Sequence, residues 1–251
     1  MLPKLPKVTA PRRAKKANLM KGRPITTEEF ERMLAKTASV VGDTATPSWL
    51  YYLRGLWLSG LRLTESLDLY WDRDDRLSVD LSGKLPMLRI TDKFEKGHKD
   101  RLLPMAPEFA EFLLQTPEHL RRGRVFDPQP RRRKGEHLTA TRVGRVVTAI
   151  GKAAGVVVKR EGSKVKFASA QDLRRSFGER WAPRVMPQVL KELMRHESIE
   201  TTLKYYVGRN AQATAAVLWE AHAAAGNTFG NSGDFGPPSQ PRPVDASHVG
   251  L

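Results

Sequence analysis

Five side chains spread along this 251-residue chain carry the types needed to attack a phosphodiester and to offset the charge that builds up on it. Arg62 lies in SGLRLTESLDL, Lys96 in KFEKGHKDRLLPM, Arg174 in SAQDLRRSF, and His196 and Tyr205 share RHESIETTLKYY. The set supplies two guanidiniums, an ammonium, an imidazole and a phenol. A planar guanidinium gives a phosphate two parallel hydrogen bonds. A phenol with a pKa of about 10 is ionised only about one part in a thousand at neutral pH, so Tyr205 needs cations or a base around it to act as a nucleophile. Tyr206 is adjacent and is the obvious decoy. Lys96, with Gly97 beside it, could protonate a departing 5′-oxygen, and Lys93 and Lys99 are nearby alternatives. Glu65 follows Arg62 by three residues and can hold its guanidinium in one orientation.

Positioning these groups requires an ordered scaffold, and the patterning provides one. Thr26-Thr27-Glu28-Glu29 resembles a capping box ahead of a helix with Phe30, Met33 and Leu34 inward. A second helix runs through Leu50, Tyr51, Leu53, Leu56 and Trp57 and breaks at Ser59-Gly60. A third is expected to open at Thr64 as N-cap and to carry Leu67 and Leu69. The period then changes. Residues 77–81, 86–90 and 101–105 alternate, which predicts a three-stranded antiparallel sheet with Lys96 at its last turn. Helices are expected over 107–115, 139–153, 170–181, 187–194 and 198–222, with a basic loop at 121–134. The fold class is mainly α with a small antiparallel β-sheet, an α+β domain.

Charge bounds the partner. Lys plus Arg number 43 against 27 Asp plus Glu, a net charge of +16, which favours a polyanion such as nucleic acid. The chain has no cysteine, so disulfides and thiolate zinc sites are excluded. The N-terminus MLPKLPKVTAPRRAKK is charged and proline-rich where a signal peptide needs an apolar run, and no stretch reads as a membrane span. A cytoplasmic, DNA-associated protein is the expectation. Residues 1–24 read as a flexible basic arm, 25–225 as the domain proper, and 226–251, rich in Gly, Asn, Ser and Pro, as a disordered tail.

In this order and context the motifs resemble the catalytic domain of the tyrosine recombinase (phage integrase) family. The matching text is GLRLTE for Arg62, KGHKDR for Lys96, QDLR for Arg174, RHESIETT for His196 and LKYY for Tyr205, over roughly residues 25–220. The resemblance implies that Tyr205 forms a 3′-phosphotyrosyl link, that Arg62 and Arg174 clamp the non-bridging oxygens, that His196 adds a hydrogen bond and that Lys96 protonates the leaving oxygen. It implies double-stranded DNA as substrate, a homo-oligomer, expected as a tetramer, on that DNA, and no metal or nucleotide cofactor. It also places Gln171 in the site, at a position where the family's pattern has histidine. Glutamine donates a hydrogen bond but does not accept a proton at neutral pH. The family's N-terminal helical DNA-clamping domain has no counterpart in the roughly 24 residues before the first helix. Two alternatives follow: a catalytically weakened DNA-binding member, and a type IB topoisomerase-like enzyme. The small apolar segment with Ala211, Ala213, Ala215, Ala216, Val217, Leu218 and Trp219 is expected to dock on a neighbouring protomer or on its own core.

Overall fold

Residues 22–90, 101–131, 137–206, 219–220 and 222 are described in this computed structural model. The chain divides into two compact units, Met1–Val207 and Gly208–Leu251. In the second, Trp219 meets His222 edge-on, with ring centroids 6.3 Å apart. The arm up to Lys21, residues 211–218 and the tail from 226 lie outside the described residues. No helix among the described residues is long and apolar enough to cross a membrane.

The first unit contains eight α-helices among the described residues: α1 (Thr27–Val41), α2 (Thr46–Ser59), α3 (Leu63–Leu67), α4 (Pro107–Leu114), α5 (Ala140–Ala153), α6 (Ala170–Trp181), α7 (Pro187–Met194) and α8 (Ile199–Leu203). The expected capping box starts α1: the Thr26 side chain accepts from the Glu29 N–H, and Glu29 accepts from the Thr26 N–H. Helix α2 is the central one, packed by α1, α4 and α6. Trp49, Tyr52, Leu53 and Leu56 are at most 1% exposed, so this helix is buried over most of its circumference. Phe30 of α1 stacks on Trp57 at 4.4 Å. Polar tips on these rings are satisfied: Trp49 Nε1 donates to the Gln129 carbonyl at 2.8 Å, and the Tyr52 hydroxyl pairs with Ser66 at 3.0 Å.

Four strands form one sheet in the order β1 (Leu69–Tyr70), β2 (Leu77–Asp80), β3 (Met87–Ile90), β4 (Arg101–Pro104). The expected antiparallel β2–β3–β4 core is present, with Val79 opposite Leu88 and Leu88 opposite Leu103. Two corrections to the sequence reading concern strands. Leu69, expected on the third helix, belongs to β1, which pairs parallel to β2. A second sheet, the hairpin β5 (Val157–Glu161) and β6 (Lys164–Phe167), was not expected at all. It turns at Gly162, whose φ of +56° suits a tight hairpin turn.

Two corrections concern helices. Helix α3 has Arg62 as its N-cap rather than Thr64, because Glu65 accepts from the Arg62 backbone N–H at 2.8 Å and sets the start at Leu63. The long helix expected over 198–222 is not continuous. After Leu203 the chain tightens, with Tyr205 N–H bonding Thr202 O at 3.0 Å and Tyr206 N–H bonding Leu203 O at 2.9 Å. These i→i+3 bonds end α8 and put Tyr205 in a turn. The other end of the expected arm differs as well: Arg23 is held by Glu29 at 2.7 Å and by the Val157 carbonyl at 2.8 Å.

Candidate active site

Four elements converge beside the C-terminal end of α2, and each delivers a polar group because of a local feature of the chain. Gly60 ends α2 in the left-handed conformation, with φ +59°, and a Cβ there would run into the Phe177 ring. The freed Gly60 carbonyl turns toward α6 and accepts from Arg174 Nη1. Arg174 Nη2 donates to the Met194 carbonyl at the end of α7. Arg174 is thus 3% exposed, and burial together with Arg195 lowers its pKa to about 9, so it remains a cation at neutral pH.

Arg175, its neighbour, does something else. It pairs with Asp172, and Asp172 also accepts from the Ser169 N–H and hydroxyl at 3.0 and 2.6 Å. That arrangement caps α6. Neither arginine is a solvated basic face, since Arg175 is only 8% exposed.

Arg62 reaches the same region from the start of α3. Its Nη1 meets Glu65 Oε1 at 2.6 Å, the expected i,i+3 pair, and its Nη2 donates to the Arg195 carbonyl at 2.8 Å. Arg195 belongs to the same cluster. Its side chain is 8% exposed and lies 3.1 Å from Glu65 Oε2, while Arg174 stands 3.9 Å from that same oxygen. Burial alone would raise the Glu65 carboxyl, but Arg195, the Arg62 N–H groups and Arg174 hold it at about 2.

His196 follows Arg195 and leads into α8. Its Nδ1 is 2.9 Å from the Thr202 hydroxyl, which leaves the other ring nitrogen out of that bond. Burial, then the charges of Arg174, Arg62 and Arg195, push its pKa to about 4, which makes it neutral at physiological pH. Its ring lies nearly parallel to that of Tyr205, 9° apart with centroids at 6.1 Å. Tyr205 is 7% exposed and rests on α6 at Gly178, where an added Cβ would come within 2.7 Å of the ring. Burial pushes its pKa up, and Arg174 and Arg175 act against that rise. The phenol is therefore un-ionised at rest. Tyr206 is engaged elsewhere, its hydroxyl donating to the Val185 carbonyl at 2.7 Å.

The structure brings Arg62, Arg174, His196 and Tyr205 together. Gln171 is exposed on the first turn of α6, one turn before Arg174. Lys96, with Lys93 and Lys99, lies outside the described residues, in the connection between β3 and β4, whose flanking residues Ile90 and Arg101 pair. Arg195 is the residue the sequence reading missed. Nothing local marks it, because its partner Glu65 is distant in the chain and the approach depends on a left-handed turn.

A family model described as the phage integrase family matches residues 20–213. The tyrosine recombinase XerC of Chlamydia caviae is 28% identical over 195 residues, which cover 72% of this chain and 53% of that protein. The chain thus spans about half the length of that relative. Two solved structures share the fold. One is the Tn1549 transposon integrase in complex with transposon right end DNA, with TM-score 0.53, 18% identity, and coverage of 82% of this chain and 68% of that one. The other is the XerH site-specific recombinase bound to a palindromic difH substrate, with TM-score 0.50, 20% identity, and coverage of 79% and 54%.

Proposed function

Because the chain belongs to the phage integrase family, we propose that it is a tyrosine-type site-specific DNA recombinase that cleaves and rejoins strands through a 3′-phosphotyrosyl intermediate. The observation that carries this reading is the convergence of Tyr205 and His196 with Arg62 and Arg174 from three separate segments, with the decoy Tyr206 tied to Val185. The substrate is double-stranded DNA, in keeping with a net charge of +16 and with the transposon end DNA and difH substrate bound by the two structural relatives.

In the proposed step the Tyr205 oxygen attacks phosphorus and loses its proton to solvent. The Oη–P bond forms as the bond to the 5′-oxygen breaks, and that oxygen takes a proton from Lys96. Arg62 and Arg174 donate to the non-bridging oxygens and offset the second negative charge that develops on them. Neutral His196 donates one further hydrogen bond from the nitrogen opposite Thr202. Gln171 donates to phosphate but takes no proton, so attack lacks the general-base help worth about 10²–10⁴-fold elsewhere. A 5′-hydroxyl from a partner strand reverses the chemistry. Recombination needs several protomers on the DNA, and a tetramer is the assembly we assign.

The test uses a pool of duplexes with a randomised core and a nick on one strand, from which a cleaved fragment escapes and traps the intermediate. Wild type is expected to give an adduct that survives denaturing detergent, and Tyr205→Phe to give none. Absence of any wild-type adduct, with DNA binding retained, would leave a binding member of the family and overturn the proposal.

A further inference from the structure

The proposed mechanism makes no use of Arg195, although its side chain is buried beside the site. It is the one non-glycine among the described residues with positive φ, at 51°. L side chains rarely adopt that region, and a residue held there is over-determined by its surroundings. It closes α7: its N–H bonds the Glu192 carbonyl at 3.0 Å and the next N–H, of His196, bonds Lys191 at 3.0 Å. A glycine would do this with less strain. What glycine would lack is the side chain, which turns back into the protein. There Nε and Nη2 meet Glu65 Oε2 at 3.2 and 3.1 Å, Nη1 donates to the Leu193 carbonyl at 3.1 Å, and Nη2 reaches the Gly60 carbonyl at 3.4 Å.

These contacts overlap those of the two proposed phosphate-binding arginines. Glu65 is a single carboxylate among three guanidiniums. Arg62 takes Oε1, and Arg195 takes Oε2, the oxygen from which Arg174 stands off at 3.9 Å. Without Arg195, Oε2 would be open to Arg174, and a carboxylate in that position would draw Arg174 away from any phosphate. Arg195 also supplies the backbone carbonyl that holds Arg62 Nη2, and its turned backbone delivers His196. Charge fits the same account. Three guanidiniums against one carboxylate leave two positive charges in surplus, which matches the two negative charges on a phosphodiester under attack by a phenolate.

Resting on the recombinase reading, we propose that Arg195 is a positioning residue of this site: it neutralises Glu65 so that Arg174 is left for phosphate, and its left-handed backbone fixes Arg62 and His196. It acts through those groups and does not itself touch DNA.

The experiment compares wild type, Arg195→Gly, Arg195→Met and Arg195→Lys. Arg195→Gly relieves the backbone and guards against a failure to fold. Adduct formation on the nicked pool is expected to fall about 10–100-fold in the Gly and Met variants, as for other losses of alignment, while the Kd for the same DNA stays within about twofold. Lysine is expected to restore part of the rate. Carboxyl carbon NMR reads Glu65 directly: its pKa rises in Arg195→Met, with Arg62, Arg174 and neutral His196 as the groups still facing it. Unchanged adduct rates in both Gly and Met variants, or a parallel loss of DNA affinity, would overturn the proposal. So would a Glu65 titration that does not move. If wild type itself forms no adduct, the recombinase reading fails, and the Glu65 titration still decides whether Arg195 holds the carboxylate.

Discussion

His196 shows how one side chain can be read for both stability and mechanism. Its pKa lies at about 4 in the folded chain against an ordinary 6.5, from burial and three nearby guanidiniums. The sign follows directly. Between these values the unfolded chain binds a proton that the folded chain does not, so stability rises with pH there. The contribution is fully present above pH 6.5 and is lost as pH falls toward 4. Urea midpoints should therefore decline across that window in wild type, and His196→Asn should flatten this part of the decline. Adduct formation should show no inflection near 6.5, since the folded imidazole is already neutral. Glu65, held at about 2 against 4.5, shifts stability in a lower window, fully present above pH 4.5 and lost toward 2.

At the scale of elements, α6 is the platform. One face carries Arg174 toward the ends of α2 and α7, and the next turn carries Gly178, which seats the Tyr205 ring. Gly178→Ala puts a methyl within 2.8 Å of both that ring and Met194 Sδ. Overpacking of this kind costs about 1–3 kcal/mol, and here it also displaces the proposed nucleophile. The expected outcome is a lower urea midpoint and a larger loss of adduct than the midpoint shift explains; an unchanged adduct rate would show that Tyr205 does not use this seat. Legibility in the sequence followed the same local-versus-distant divide. Helix α1 was readable because its cap, Thr26 with Glu29, lies within one turn. The β2–β3–β4 core was readable from alternation. The β5–β6 hairpin was missed although Gly162 marks its turn, because its exposed Lys and Arg residues dilute the alternation. Strand β1 has two residues and exists through distant partners, β2 on one side and a bridge from Tyr70 to Arg124 on the other. Among the groups of the candidate site, Arg62 with Glu65 was local and readable. Arg195, whose partners come from α3 and α2, was not.

Over the whole molecule the surplus of 43 basic over 27 acidic residues favours the proposed interaction with DNA. Lys4, Lys7, Arg12, Arg13, Lys15, Lys16 and Lys21 stand in a leader without a single acid. Changing Arg12, Arg13, Lys15 and Lys16 to glutamine should weaken binding with little regard to DNA sequence. The plot of log affinity against log salt should become shallower by about 0.9 for each phosphate no longer neutralised. An unchanged slope would mean that the leader does not track the backbone. The central claim, however, concerns one oxygen atom, and the measurement that tests it most directly is peptide mapping of the covalent adduct by tandem mass spectrometry. A nucleotide remnant on Tyr205 is the result expected. A remnant on Tyr206, whose hydroxyl donates to Val185 in this structure, or on any other residue, would contradict the account.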